Sequence, residues 1–112
     1  MSQTLAISEQ QIVALYRTMQ IIRQTEEELA RCHQRVLIHG ACHTYVGQEA
    51  IAVGVCAHLR ADDVVFSTHR GHGHALAKGA PAREVMAELF GKATRIVVAR
   101  RPRSRRGFAR WR

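Results

Sequence analysis

The chain has 112 residues, which is enough for one small domain at most. No apolar run approaches the ~18 residues of a membrane-spanning helix, and the first residues lack the basic and apolar segments of a secretory signal, so we expect a cytoplasmic protein. The three cysteines are an odd count without C-x-x-C spacing. That pattern argues against a disulfide framework and a zinc site, and it favours free thiols.

The net charge of +8 is confined to one end of the chain. Residues 1–94 carry nine basic and nine acidic side chains, whereas residues 95–112 carry eight arginines and no acid. Because the body is balanced, the overall charge does not indicate a nucleic-acid-binding domain. The tail leaves one alternative open, a basic peptide that binds nucleic acid or another partner through its arginines without sequence preference.

The first predicted element is a long helix that runs to about Arg35. Ser8, followed three residues later by Gln11, has the pattern of a capping box. Apolar residues then recur at the steps of three and four that are typical of an amphipathic helix. They are Ile12, Leu15, Met19 and Ile22, with Tyr16 and Leu29 near the same stripe. Residues 1–7 are expected to be disordered.

Shorter elements follow a loop at residues 39–43. The apolar run from about residue 48 to about residue 59 predicts a buried helix, and residues 64–66 predict a short strand. Residues 75–78 predict one or two helical turns that end at Gly79. Pro81 suits the first position of another helix, which ends at Gly91. The arginine-rich residues 95–112 have no helical or strand period and are predicted to be disordered.

The candidate chemistry lies in a histidine- and glycine-rich segment, residues 69–74, between the predicted strand and the next helix. Backbone N–H groups converge on anions at such junctions, and guanidinium and imidazole donors match phosphate oxygens. Two alternatives stay open. His69, His72 and His74 could offer metal ligands, or the histidines could only hydrogen-bond loop carbonyls. We assign no metal ligands.

Two further polar positions stand out. Glu49 begins an apolar helix, where it is either a buried carboxylate that holds a loop through backbone N–H groups or an exposed acid favoured by the helix dipole. His43 lies in the loop before that helix. The neighbouring Cys42 does not predict a thiolate–imidazole pair, because adjacent side chains usually diverge.

Taken together, the motifs resemble the alpha subunits of thiamine-diphosphate-dependent dehydrogenases. The segments that carry the resemblance keep their order and spacing over residues 10–94, at residues 16–27, 40–43, 47–54, 62–79 and 85–94. The His-Arg-Gly-His-Gly-His sequence at residues 69–74 is closer to the acetoin dehydrogenase branch, since pyruvate dehydrogenases usually have Tyr before the Arg. The resemblance implies an α/β fold in which helices flank a parallel sheet, of which this chain holds mostly helices and at most one or two short strands.

The resemblance also implies roles for individual residues. His43 matches the family histidine in the active-site channel near substrate and cofactor, and it is the expected catalytic residue. His69 and Arg70 match the pair that contacts the cofactor diphosphate. His72 is assigned to the same cofactor-binding group, with the alternative that it only orders the loop.

The implied cofactor is thiamine diphosphate with Mg²⁺, which serves as the electron sink for reactions at an oxo group. The implied partners are a beta subunit, in a heterotetramer, and the lipoyl acyltransferase component of the complex. The donor is acetoin, pyruvate or a branched-chain oxo acid. The expected function is therefore that of an oxidoreductase subunit that acts on the oxo or aldehyde group of a donor.

The chain departs from the family pattern after Thr94. The Gly-Asp-Gly segment that holds Mg²⁺ in the family does not occur in the sequence, and the arginine-rich tail replaces a glycine-rich run. We therefore expect three regions: a disordered segment at residues 1–7, a family domain at residues 8–94, and a non-family tail at residues 95–112. A shifted reading frame is our hypothesis for the origin of this tail. The expected product is a truncated subunit of low stability that is inactive alone.

Overall fold

The structure is a computed structural model that describes residues 7–92 and the backbone of residues 109–111. Within these residues the chain is mostly helical, as expected. The elements in chain order are α1 (Glu9–Gln34), α2 (Glu49–Cys56), β1 (Val65–Ser67), α3 (Gly71–Ala77), α4 (Ala82–Leu89) and β2 (Ala109–Trp111). None of the described helices is both long and apolar enough to cross a membrane.

Helix α1 begins as the sequence predicts. Ser8 Oγ accepts a hydrogen bond from the Gln11 N–H at 3.2 Å, and Gln11 Oε1 accepts one from the Ser8 N–H at 2.9 Å, so the capping box is confirmed. The helix ends at Gln34. Two residues later Val36 has φ +60°, a left-handed conformation that is rare for a β-branched residue. Here the chain turns away from the helix axis, and His33 Nε2 lies 2.8 Å from the Gly40 carbonyl oxygen across the turn.

The two strands pair in an antiparallel way. Val65 lies opposite Trp111 and Ser67 lies opposite Ala109. The predicted strand at residues 64–66 is thus found one residue later. Part of the tail that was predicted to be disordered forms β2, while residues 93–108 and 112 lie outside the described residues, as do residues 1–6. The parallel sheet that the resemblance implies is not seen in the part of the chain that the structure describes.

The core consists of two apolar clusters along α1. The first cluster surrounds the buried Ile22, and its other buried members are Tyr45, Ala52, Val53, Ala75, Leu76 and Val85. The second cluster surrounds the buried Leu29 and contains Cys32 and Ile38, with Cys42, Met86, Leu89 and Phe90 packed against it. The stripe predicted on α1 is buried only in part, because Ile12 and Tyr16 near its start are more than half exposed.

Candidate functional site

The structure brings together two of the predicted site residues from distant parts of the chain. His43 lies on the loop between α1 and α2, and His69 lies in the turn between β1 and α3. Their imidazole rings meet edge to face, with centroids 4.8 Å apart and ring planes at 83°. Both residues are exposed. The pair therefore offers ring nitrogens to a ligand that approaches from solvent.

Arg70 follows His69 directly in the sequence. It is the N-cap residue of α3, with φ −108° and ψ 44°, and it is partly buried. Its guanidinium is always charged, so Arg70 adds a permanent positive charge to this segment of the chain. Two imidazoles in contact, with an arginine next in sequence to one of them, are suited to an anion with several oxygens.

His72 has an acidic partner that the sequence analysis missed. Its Nδ1 lies 3.3 Å from Oε1 and 3.5 Å from Oε2 of Glu26. Glu26 is fully buried on α1, and its Oε1 accepts no well-formed hydrogen bond from the described residues. A signal was present, because Glu26 lies four residues after Ile22 and three before Leu29, which is the spacing of the buried stripe.

His74 has a structural partner on each ring nitrogen. Its Nδ1 lies 2.5 Å from Ser67 Oγ, and its Nε2 lies 3.1 Å from the Tyr45 hydroxyl. Burial lowers the pKa of His74 below its usual value. His72 and His74 thus face different partners, and no three metal-ligating side chains come together within the described residues. The metal interpretation of the three histidines gains no support from this arrangement.

The sequence left open whether Glu49 is a buried carboxylate or an exposed acid at the start of α2, and the structure shows that it is buried. It is 5% exposed. Its carboxylate accepts a hydrogen bond from Arg23 Nε at 2.5 Å, and both of its oxygens lie within 3.1 Å of the Gly47 backbone N–H. The side chain therefore fixes the loop that follows His43 onto the middle of α1.

This carboxylate is expected to make the fold sensitive to acid. The Arg23 hydrogen bond is the main cause that lowers the pKa of Glu49 from 4.5 to about 2, helped by the Gly47 N–H and opposed by burial. Because the folded pKa is the lower one, Glu49 stabilises the fold above about pH 4.5, and this contribution is lost as the pH falls towards about 2. The full shift corresponds to about 3 kcal/mol. Solvent screening through the half-exposed Arg23 reduces it to about 1–2 kcal/mol.

Urea unfolding across this pH range measures the effect. In Glu49→Gln the free energy of unfolding should be lower at neutral pH and should change less between about pH 5 and about pH 2 than in the unchanged chain. The same pH dependence in both proteins would show that other carboxylates cause the acid sensitivity.

The three cysteines are free, as predicted. Burial is the main cause that raises the pKa of the Cys42 thiol, and the charge of Glu26 adds to it. Both effects favour the protonated form of the Cys42 thiol.

Comparison with known proteins gives one consistent family. The family model described as the dehydrogenase E1 component matches residues 17–108. The range passes Thr94, so the domain boundary at residue 94 stays a prediction. The alpha subunit of an acetoin:2,6-dichlorophenolindophenol oxidoreductase from Bacillus subtilis is 46% identical over 90 residues, which are 80% of this chain and 27% of that protein.

Alpha subunits of pyruvate dehydrogenases are similar to this chain at nearly the same identity. The chloroplastic pyruvate dehydrogenase E1 component subunit alpha-3 from Oryza sativa subsp. japonica is 46% identical over 89 residues. These residues are 80% of this chain and 21% of that protein. The E1 component subunit alpha from Zymomonas mobilis is 44% identical over 88 residues, which are 78% of this chain and 25% of that protein. The chain thus spans about a quarter of the length of these relatives.

Proposed function

Since this chain belongs to the dehydrogenase E1 component family, we propose that it forms part of the alpha subunit of a thiamine-diphosphate-dependent dehydrogenase and helps to hold the cofactor's diphosphate. The observation that carries the proposal is the contact between the His43 and His69 rings, whose residues lie 26 positions apart in the sequence. The fold places these two imidazoles side by side next to the Arg70 position.

The residues present fit such a cofactor. A diphosphate has several anionic oxygens, and imidazole and guanidinium groups donate short, directional hydrogen bonds to oxygens of this kind. His69 and Arg70 would hold the diphosphate, with His72 beside them. The bound cofactor supplies an electron sink for bond cleavage next to an oxo group. His43 is exposed beside His69, where it would orient the substrate or hold a proton at one of its ring nitrogens.

The donor substrate follows from the comparisons only as a class. One of the relatives bears the name of an acetoin oxidoreductase and others bear that of pyruvate dehydrogenase, at similar identity. The His-Arg sequence at residues 69–70 favours acetoin within this class. Branched-chain oxo acids remain the third possibility.

The partners follow from the family. We infer a beta subunit, in a heterotetramer, and a lipoyl acyltransferase component as partners, because the chain belongs to the dehydrogenase E1 component family. The 112-residue chain by itself is expected to show no turnover. The cytoplasmic location stays a prediction, since the rice relative is chloroplastic by name. The family match gives no support to the nucleic-acid alternative.

Arg70→Ala tests the proposal in an assembled enzyme, that is, an alpha subunit containing this chain together with a beta subunit. A charge-assisted hydrogen bond to phosphate contributes about 1.5–3 kcal/mol, so the affinity for thiamine diphosphate should fall about tenfold or more. Isothermal titration with the cofactor measures the change. Arg83→Ala is the matched control, because Arg83 is an exposed arginine on α4. Unchanged affinity in Arg70→Ala, or an equal loss in Arg83→Ala, would refute the assignment.

A further inference from the structure

The feature with no explanation so far is the carboxylate of Glu26. It is fully buried on α1, between Ile22 of the first cluster and Leu29 of the second. A buried carboxylate in an apolar environment costs several kcal/mol unless hydrogen bonds compensate for the lost water. One of its oxygens has no well-formed hydrogen bond within the described residues. An apolar side chain at this position would stabilise the fold better, so Glu26 needs a reason other than stability.

The surroundings of Glu26 indicate the reason. It lies against the segment of residues 69–74, since its Oε1 is 3.3 Å from Nδ1 of His72. The loop of His43 packs on the same helix, because Cys42 contacts the cluster around Leu29, three residues after Glu26.

We propose that Glu26 is a positioning residue, which accepts the Nδ1–H of His72 and thereby leaves Nε2 of that ring for the anionic ligand of the site. A carboxylate on one ring nitrogen fixes the tautomer and the orientation of an imidazole, and it stabilises the imidazolium. When the anion binds, Nε2 takes up a proton from water, so that the ring carries a proton on each nitrogen. Nε2–H then donates to an anion oxygen, while Glu26 balances the positive charge.

The contact between His72 and Glu26 is longer than a usual hydrogen bond, at 3.3 Å from Nδ1 to Oε1. His72 is not closed off from solvent, since its side chain is 17% exposed while Glu26 is not exposed at all. The His72 ring can therefore contact the buried Glu26 carboxylate through one nitrogen and a ligand at the surface through the other.

The inference rests on the proposed function for the identity of the ligand, but part of its test is independent of any ligand. In the 112-residue chain, ¹⁵N chemical shifts of the imidazoles report the tautomer of each histidine. We expect His72 to have its proton on Nδ1. In Glu26→Leu that preference should be lost, whereas in Glu26→Gln it should persist, because the amide oxygen still accepts the Nδ1–H. A ring protonated mainly on Nε2 in the unchanged chain would overturn the proposal.

The second part separates positioning from a structural role. Glu26→Leu should leave the midpoint of thermal unfolding unchanged or higher, since an uncompensated buried carboxylate is replaced by an apolar side chain. In the assembled enzyme the same variant should bind thiamine diphosphate about tenfold more weakly, because the charge that supports the imidazolium is gone. Glu26→Gln should give an intermediate loss. A lower unfolding midpoint with unchanged affinity would mean that Glu26 is only structural.

The two proposals fail in different ways. If the unchanged assembled enzyme does not bind thiamine diphosphate, the proposed function is wrong, whereas the tautomer of His72 still decides whether Glu26 positions the ring. If the cofactor binds and Arg70→Ala weakens it while neither Glu26 variant does, the proposed function stands and the role of Glu26 is refuted.

Discussion

Gly73→Ala is expected to destabilise the fold strongly. A Cβ atom at this position would lie 2.3–2.8 Å from three atoms of the Tyr45 ring, including the ring carbon nearest the backbone. Tyr45 is 2% exposed, and its hydroxyl lies 3.1 Å from His74 Nε2, so the ring cannot move aside without losing its partner. Overpacking of this kind costs about 1–3 kcal/mol and occasionally more. Because the chain is small, that is a large share of its stability.

Urea unfolding followed by circular dichroism measures the loss. Gly54→Ala is the matched control, since Gly54 lies inside α2 and a Cβ there meets no atom within 4 Å. Alanine is a better helix former, so this variant should be more stable by up to about 1 kcal/mol. Equal stability of the two variants would show that the Tyr45 ring moves freely and that the contact with Gly73 does not fix α3.

The start of α1 could be predicted because its cause is local. The Ser8–Gln11 capping box needs two residues three positions apart, and its hydrogen bonds form within one helical turn. The sequence also led us to propose His43, His69 and Arg70 as site residues, since they belong to a set of ordered motifs. What the residues alone could not give was the contact between His43 and His69, which depends on how the loops around α2 and α3 pack.

The acidic residues show where sequence reasoning fails. Both Glu26 and Glu49 are buried, although a glutamate on a helix is usually exposed. Their partners, His72 and Arg23, lie 46 and 26 positions away in the chain. A period of three to four residues identifies the face on which a side chain lies, but not what covers that face. Glu26 shares the face of Ile22, and only the fold shows that an imidazole covers it.

The apolar residues at the start of α1 show the same limit of sequence reasoning, namely that spacing does not tell which residues become buried. Ile12 and Tyr16 have the right spacing and are nevertheless exposed, whereas Ile22 and Leu29 are fully buried. The difference arises because α2, α3 and α4 contribute their buried residues around the second half of α1. Periodicity indicated a buried face along the whole helix, and the extent of its burial is set by these neighbours.

Leu29→Ala is expected to reduce both the stability of the fold and the order of the site. Leu29 is fully buried in the second cluster, so its truncation should cost about 2–5 kcal/mol. Cys42 packs against the same cluster, and His43 is its neighbour. A cavity under Cys42 removes support from the loop that holds the His43 ring against His69.

Two measurements on Leu29→Ala separate the stability effect from the effect on the site. Urea unfolding should show the loss of stability, and the resonances of the His43 ring should shift towards those of an unstructured peptide under conditions where the helices persist. Leu29→Met is the control, because a swap of similar volume usually costs less than about 1.5 kcal/mol and should leave the His43 ring in place. If Leu29→Ala lowers the stability without affecting the His43 ring, the contact with His69 depends on the Arg23–Glu49–Gly47 bonds after His43 and not on the packing beneath Cys42.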